Sequence, residues 1–453
     1  MSSRAWILRL LGVFALGCLA RTSLGREGSL YLTVYGNDLA VVRERREVLL
    51  ARGISRVVFG QLPVRVDPSS FRVRFLSEAA PVKVLEYAYR PPIGGREELL
   101  AQLVGRPVQI VTEEGVISGT LRAMLGAEPV ILNQDQGITI VSASTIRRVI
   151  LPSDVELVSE PGLVLEIESE SQGRQACELQ YLTSGLSWEA YYTLVLNEAE
   201  TQLDLEGCAK LENHSGRKYE NACLSLVAGQ IHVAGKETPR PLFRVAETAM
   251  AAAPEAPEER SVFEYHVYEF SRPVTLEDGQ IKDVPLVSAS RAGCKKHYVY
   301  DGQRDGSQVR VQIRFRNDKP SGPGQPLPAG TVRIYKQDRD RLRLVGEDRL
   351  GHTPVGADVQ LTAGYAFDIE GKRTLVESRQ MAPGAREESY RIELSNRKDQ
   401  AVQVEIHEHL WGDWEIRHST EPFVKKSATE IQFVVDVAPR SSKSVEYRAL
   451  IRQ

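Results

Sequence analysis

At 453 residues and 42% hydrophobic positions, the chain is too long for one ordinary core and has apolar material for roughly two to four domains. Its formal net charge of −3 excludes a global basic bias toward nucleic acid or anionic lipid. The cysteines, Cys18, Cys177, Cys208, Cys223 and Cys294, form no C-x-x-C pair and have no His at zinc-finger distance, which argues against a structural zinc site.

The first residues have the layout of an export signal. Arg4 supplies positive charge, Ile7 to Ala20 is apolar except for Arg9, and Ser23 and Gly25 fit a small-x-small cleavage site before Arg26. The run is shorter than the roughly 20 residues that span a bilayer. Simple secretion is the favoured reading. Lipidation at Cys18 is the alternative, and Leu16 fits it poorly because a small residue is usual there. Export permits disulfides, and Cys208 and Cys223 lie in neighbouring expected strands.

Beyond the signal, period-2 alternation dominates, with turn residues such as Tyr35-Gly36-Asn37-Asp38 between runs. The best helical pattern is Arg96 to Val104, with Leu99, Leu100 and Leu103 on one face and Gly105 placed to end it. Five short strands follow before Pro152, with Gly115 at a turn and Gly119 at a bend, and predict an inserted SH3-like or Sm-like barrel. The segment offers no aromatic between Arg96 and Pro152 and has more acidic than basic residues, so RNA binding is not expected. Ala246 to Arg260 is Ala/Pro/Glu-rich and reads as a linker or exposed loop. Val309, Val311, Ile313 and Phe315 alternate with polar residues, and the Gly/Pro-rich stretch Lys319 to Gly330 then breaks the pattern.

In the C-terminal region, strands are expected at Glu388–Leu394, Val402–Leu410, Ile431–Val437 and Val445–Ile451. Tyr390, Ile392, Leu394, Val402, Val404 and Ile406 point inward, as in an immunoglobulin-like sandwich completed by strands from before Met381. No internal repeat of fixed period is evident.

These residues carry a family resemblance. Leu32-Thr33-Val34-Tyr35, Ala40-Val41-Val42-Arg43, Leu62-Pro63 and Asp67-Pro68-Ser69-Ser70 resemble the N-terminal part of mucoidy-inhibitor-type proteins. Tyr181 to Tyr192, containing Ser184-Gly185-Leu186-Ser187-Trp188, resembles the signature of the domain of unknown function DUF4139. Leu327-Pro328-Ala329-Gly330-Thr331-Val332 and His409-Leu410-Trp411-Gly412-Asp413-Trp414 are further matches. The resemblance implies an exported bacterial β-rich protein and brings neither an activity nor catalytic residues. The long coiled coil of many mucoidy-inhibitor relatives is replaced here by the small barrel.

Candidate chemistry is sparse. Glu405, His407 and His409 share one side of a strand, and two imidazoles so placed can bind a metal with a third ligand. A polar solvent-facing strand is the plainer reading. Trp411 and Trp414 would stack on sugar rings if exposed, or cap the core if buried. Ser184 to Ser187 reads as a turn, with Trp188 a core anchor, and no Gly-x-Ser-x-Gly, P-loop or dinucleotide fingerprint occurs.

The expectation is therefore an all-β chain of multidomain antiparallel sandwiches. Its parts are a signal (1–25), an N-terminal β domain (26–97), the inserted barrel (98–152), a continuation of the first domain (153–245), a linker (246–260), a sandwich region (261–380) and an immunoglobulin-like end (381–453). The expected role is a non-catalytic periplasmic or cell-surface protein that needs no cofactor. Its partner would be an envelope protein or glycan, and its only membrane contact the signal or a lipid anchor. A metal-dependent hydrolase on the His407/His409 face and a carbohydrate binder are the alternatives.

Overall fold

A computed structural model describes residues 29–77, 81–133, 137–151, 160–229, 257–319 and 321–452. The expected signal, Cys18 and residues 246–256 lie outside the described residues. No described helix is long and apolar enough to cross a membrane.

The chain begins with β1 (Leu30–Tyr35), β2 (Leu39–Leu50), β3 (Gly53–Phe59), β4 (Arg72–Phe75) and β5 (Val82–Arg90). A separate unit follows: α1 (Arg96–Gln102), β6 (Pro107–Thr112), β7 (Val116–Leu125), β8 (Glu128–Asn133), β9 (Gly137–Ile140) and β10 (Ile146–Ile150). Its antiparallel sheet has the order β10-β6-β7-β8-β9 and its own core, including Leu100, Leu103, Ile110, Leu121 and Ile131. The sheet is not a closed barrel, because β9 and β10 each pair on one side only. At the expected bend, a Cβ on Gly119 would stand 2.4 Å from the Leu132 carbonyl oxygen, so only glycine fits.

The chain then returns to its first unit through β11 (Gly162–Ser169) and β12 (Gly173–Thr183). β11 lies between β3 and β5, and β12 pairs with β2. Arg90 and Gly162 are opposite one another in the β5–β11 ladder, so the insertion leaves and rejoins its host at one point. Strands after the insertion thus pair with strands before it.

Next come β13 (Leu186–Leu196), β14 (Gln202–Asn213), β15 (Tyr219–Ala228), β16 (Glu258–Val262), β17 (Tyr265–Glu269), β18 (Val274–Leu276) and β19 (Ile281–Gly293). Glu258 to Arg260, the end of the expected linker, therefore belongs to a strand. One sheet runs β16-β17-β15-β1-β2-β12-β4, with β18 also on β15. Its β1–β15 pairing is parallel and joins residues almost 200 positions apart, such as Leu32 and Leu224. The described cysteines are all free, Cys208 and Cys223 included.

The remaining strands are β20 (Lys295–Tyr300), β21 (Gln308–Arg316), β22 (Gly330–Asp338), β23 (Arg341–Leu350), β24 (Asp358–Ala382), β25 (Ala385–Asn396), β26 (Val402–His409), β27 (Asp413–Ser419), β28 (Phe423–Lys425), β29 (Glu430–Val437) and β30 (Ser441–Arg452). A five-stranded sheet has the order β19-β14-β13-β22-β23. A nine-stranded sheet has the order β27-β30-β25-β24-β21-β20-β26-β29-β28. The expected C-terminal strands appear as β25, β26, β29 and β30, and β20, β21 and β24 complete their core. The boundary expected at Met381 falls instead at the end of β24, inside a hairpin of that sheet.

The C-terminal core and the large core built on the first sheets share two strands. In β21, Val309 belongs to the C-terminal core, while Ile313 and Phe315 belong to the large one. In β24, Val359, Leu361 and Ala363 enter the large core and Ile369 enters the C-terminal one.

A recurring device also ties strand ends to loops. The buried amides of Asn213, Asn317 and Asn396 each donate to three backbone carbonyls. A buried loop carbonyl needs such a partner, and the two N–H hydrogens of an asparagine at a strand end can be shared among several such carbonyls.

Candidate functional site

β26 delivers Glu405 and His407 to the outer face of its sheet, with His297 from β20, Arg314 from β21 and Gln432 from β29 beside them. The Glu405 carboxylate accepts two bonds from Arg314, at 3.0 and 2.8 Å, and one from Gln432 at 2.9 Å. Nδ1 of His297 lies 2.8 Å from it. Partial burial works to raise the Glu405 pKa, but bonds from His407, Arg314 and His297 and the Arg314 charge hold it well below the carboxylate range.

The three residues expected to share a metal do not all converge: His407 Nε2 lies 3.7 Å from Glu405, while His409 turns to another partner. His407 Nδ1 lies 2.6 Å from Glu430, and His409 Nε2 lies 2.9 Å from the buried Asp301. Glu405 is engaged by Arg314. Among the described residues, no group of three or more His, Cys, Asp or Glu side chains is placed to hold a metal ion. An ion-pair network thus occupies the face where ligands were expected.

The tryptophans also part company. Trp411 is 70% exposed. Trp414 packs against the C-terminal core, donates to the Ala428 carbonyl at 2.6 Å and carries Lys425 over its ring. Trp414 is thus held against the core, and the Trp411 indole stands in solvent.

Sequence reasoning passed over Glu408. Its position has the parity of Val402, Val404, Ile406 and Leu410, and its side chain is fully buried. The Arg373 Nε–H reaches both of its oxygens, and the Tyr447 hydroxyl donates to it. Arg373 also stacks on Tyr390, 3.9 Å from the ring centroid. Burial outweighs these attractions and pushes the Glu408 carboxyl up. The signal was available in sequence: a charge in an inward-facing series requires a buried partner. A polar cleft of about 630 Å³, lined by Ser307, Lys372, Arg373, Glu393, Ser395 and Ser442 among others, adjoins this network.

A family model described as Domain of unknown function (DUF4139) matches residues 177–452. The chain belongs to the DUF4139 family. No curated protein matches the chain. The DUF4139 region begins inside β12, so its first sheet is completed by β1 and β2 from outside the matched residues. Two of the segments that suggested the family lie side by side. Ala190, Tyr191 and Tyr192 pair in parallel with Gly330, Thr331 and Val332. The Tyr192 hydroxyl donates to the Pro328 carbonyl at 2.7 Å, and Trp188 is buried as an anchor.

The DUF4139 region also carries exposed apolar side chains on β23 and β24, which approach one another near Gly346 and Ala363. Asp348 accepts from the Thr362 N–H at 2.6 Å, and a Cβ on Gly346 would meet the Ala363 carbonyl oxygen at 2.0 Å. A Cβ on Gly364 would lie 3.7 Å from the Val345 oxygen. Leu342 and Leu344 lie on β23, and Tyr365 and Phe367 lie on β24. All four are at least half exposed, and Phe367 is 93% exposed.

Proposed function

We propose that this DUF4139 protein is an exported, non-catalytic component of the cell envelope or surface that works by binding a protein partner. The observation that carries this reading is the exposure of the large apolar side chains Leu342 and Leu344 on β23 and Tyr365 and Phe367 on β24. Exposed large apolar side chains that gather into a patch mark interaction sites on a folded surface. Strands shared by two cores make its support stiff, which favours a preformed binding surface. The charged start, apolar run and small residues before Arg26 support export. The resemblance of residues 32–70 to mucoidy-inhibitor-type proteins supports an envelope address.

Photo-cross-linking in cells tests the reading. A cross-linking side chain at Phe367 or Leu344 gives discrete adducts in the envelope fraction, and the same group at Leu375, roughly 25 Å further along the strand, gives none. Absence of adducts at both Phe367 and Leu344 overturns it. Intact-mass measurement places the mature N-terminus near Arg26, and a diacylglyceryl mass on Cys18 would instead establish lipidation.

The exposure of Trp411 favours carbohydrate binding as a second reading. Titration with envelope glycans quenches or shifts tryptophan emission in that case, and Trp411→Ala abolishes the change. An unaltered spectrum at saturating glycan removes this reading.

A further inference from the structure

We propose that the outer face of the first sheet docks on a membrane surface, with four arginines holding the phosphate groups of anionic lipid. The overall charge of −3 conceals a local excess of the opposite sign. In the ladders of β12 with β2 and β4, Arg45, Glu178 and Arg74 stand in one row, and Arg43, Gln180 and Arg72 in the next. Directly opposed residues of an antiparallel pair share one side of the sheet. The other side carries the buried Val42, Leu179 and Tyr181. All four arginines are exposed. Strands lie about 4.8 Å apart and alternate residues about 6.7 Å apart along a strand. The four positions therefore fall within roughly one Debye length, about 10 Å, and their fields add.

The neighbouring carboxylates do not cancel this charge. Glu178 is the acid of the two rows, 3.6 Å from Arg43 and 3.8 Å from Arg74, too far for a strong hydrogen bond to either. In the row beyond, Glu47 stands opposite Ala176 and lies 3.7 Å from Arg174, which is exposed on the same side. Asp67, whose N–H donates to the Leu182 carbonyl, turns its carboxylate to Ser69. Five arginines thus meet two glutamates on the face that these ladders define.

Arrangement and surroundings select the occupant. Guanidinium groups match phosphate oxygens two at a time. Arg43, Arg45, Arg72 and Arg74 form a square spread over three strands, so a linear polyanion meets few of them in line, whereas a surface of phosphates meets all four. Tyr31 of β1 opposes Arg43, and the guanidinium covers its ring at 4.2 Å, a ring on which a nucleic-acid base would otherwise stack. Further along the same side of β2, Leu49 is 76% exposed, and Ala51 and Arg52 are exposed in the turn after it. Apolar area beside basic charge is the combination that holds a protein at an anionic membrane interface. The face lies on a different sheet from Leu342 and Leu344 of β23, so this inference stands apart from the partner-binding reading.

Flotation of lipid vesicles with the purified mature chain, from Arg26 onward, provides the test. Binding to vesicles of equimolar phosphatidylglycerol and phosphatidylcholine is expected, with none to phosphatidylcholine alone. Raising the salt from about 0.05 to about 0.5 M releases the protein. Arg43→Gln with Arg72→Gln weakens binding by roughly 25-fold, since each arginine near such a surface contributes about fivefold. Arg391→Gln with Arg417→Gln removes the same charge from the C-terminal sheet and leaves binding within about twofold. Leu49→Ser weakens it roughly tenfold. Far-ultraviolet circular dichroism confirms that each variant is folded.

No binding to the anionic vesicles at low salt overturns the proposal, as does equal binding to neutral ones. Equal weakening by the two arginine pairs overturns it too, because net charge and not this face would then govern binding. Inorganic polyphosphate offers the same phosphate chemistry without a surface. Tight binding to polyphosphate, with vesicles unbound or Leu49→Ser without effect, overturns the lipid surface as the occupant.

Discussion

The Nε hydrogen of Arg373 is shared between the two carboxylate oxygens of Glu408, at 3.0 and 2.9 Å, within a core of aliphatic and tyrosine side chains. Removing one member of such a pair strands the other charge away from water. Arg373→Met is therefore expected to lower stability by about 3–5 kcal/mol. The double variant Arg373→Met with Glu408→Leu recovers most of that loss. Urea unfolding of the two variants checks it, and equal losses would show that the pair is not the reason for the cost.

Neighbours on β26 should differ sharply. Ile406 is fully buried, whereas His407 sits on the outer face beside Glu430. Ile406→Asp buries an unpaired carboxylate and costs several kcal/mol, about 4 or more. His407→Ala loses partly exposed contacts with Glu430 and Glu405, worth about 0.5–1 kcal/mol. Thermal melts decide the matter, and comparable losses would mean the two faces are misassigned.

Acid should act through Glu405. Its carboxyl is held below its ordinary value in the folded chain. A depressed folded pKa contributes stability above the unfolded pKa, near 4.3, and that contribution is lost as pH falls toward the folded value. Glu405→Gln should consequently be most destabilising near neutral pH, with the difference from wild type shrinking below about pH 4. Chemical unfolding at a series of pH values tests the sign. A difference that grows on acidification rejects it.

Removal of the inserted unit should leave its host folded. Arg90 faces Gly162 across one ladder, and the unit holds its own core. Deleting residues 93–159 and closing the gap with a short glycine-serine turn converts β5 and β11 into a hairpin. A soluble protein with an unchanged sheet spectrum is expected. Insolubility or loss of the sheet signal shows that the host depends on the insertion.

Local pattern made much of this fold legible, and pairing made little. Alternation identified β25, β26, β29 and β30 and their inward residues, because a strand with one core face repeats every second position. It gave no sign that Leu32 lies beside Leu224 or Ala190 beside Gly330, since parallel partners are set by the whole fold. Nor could it reveal the three asparagines, whose shared role lies in the loops they hold.

Phe367 is the clearest case. It has the same parity as the buried Leu361 and Ile369, so a simple alternating strand would bury it. Irregularities opposite Gln308–Arg310 and Val311–Gln312 reset the facing of β24 between the two cores. Likewise, nothing along the chain announced that His409 would be held by Asp301, more than a hundred positions away.

The two strands common to both cores give the molecule a mechanical character. A pull on one sandwich passes into the other along continuous backbone in β21 and β24, with no slack segment to be drawn out first. The pair behaves as a beam, not as beads on a string. Phe367 stands where β24 crosses from one core to the other, so tension applied to either end reaches it.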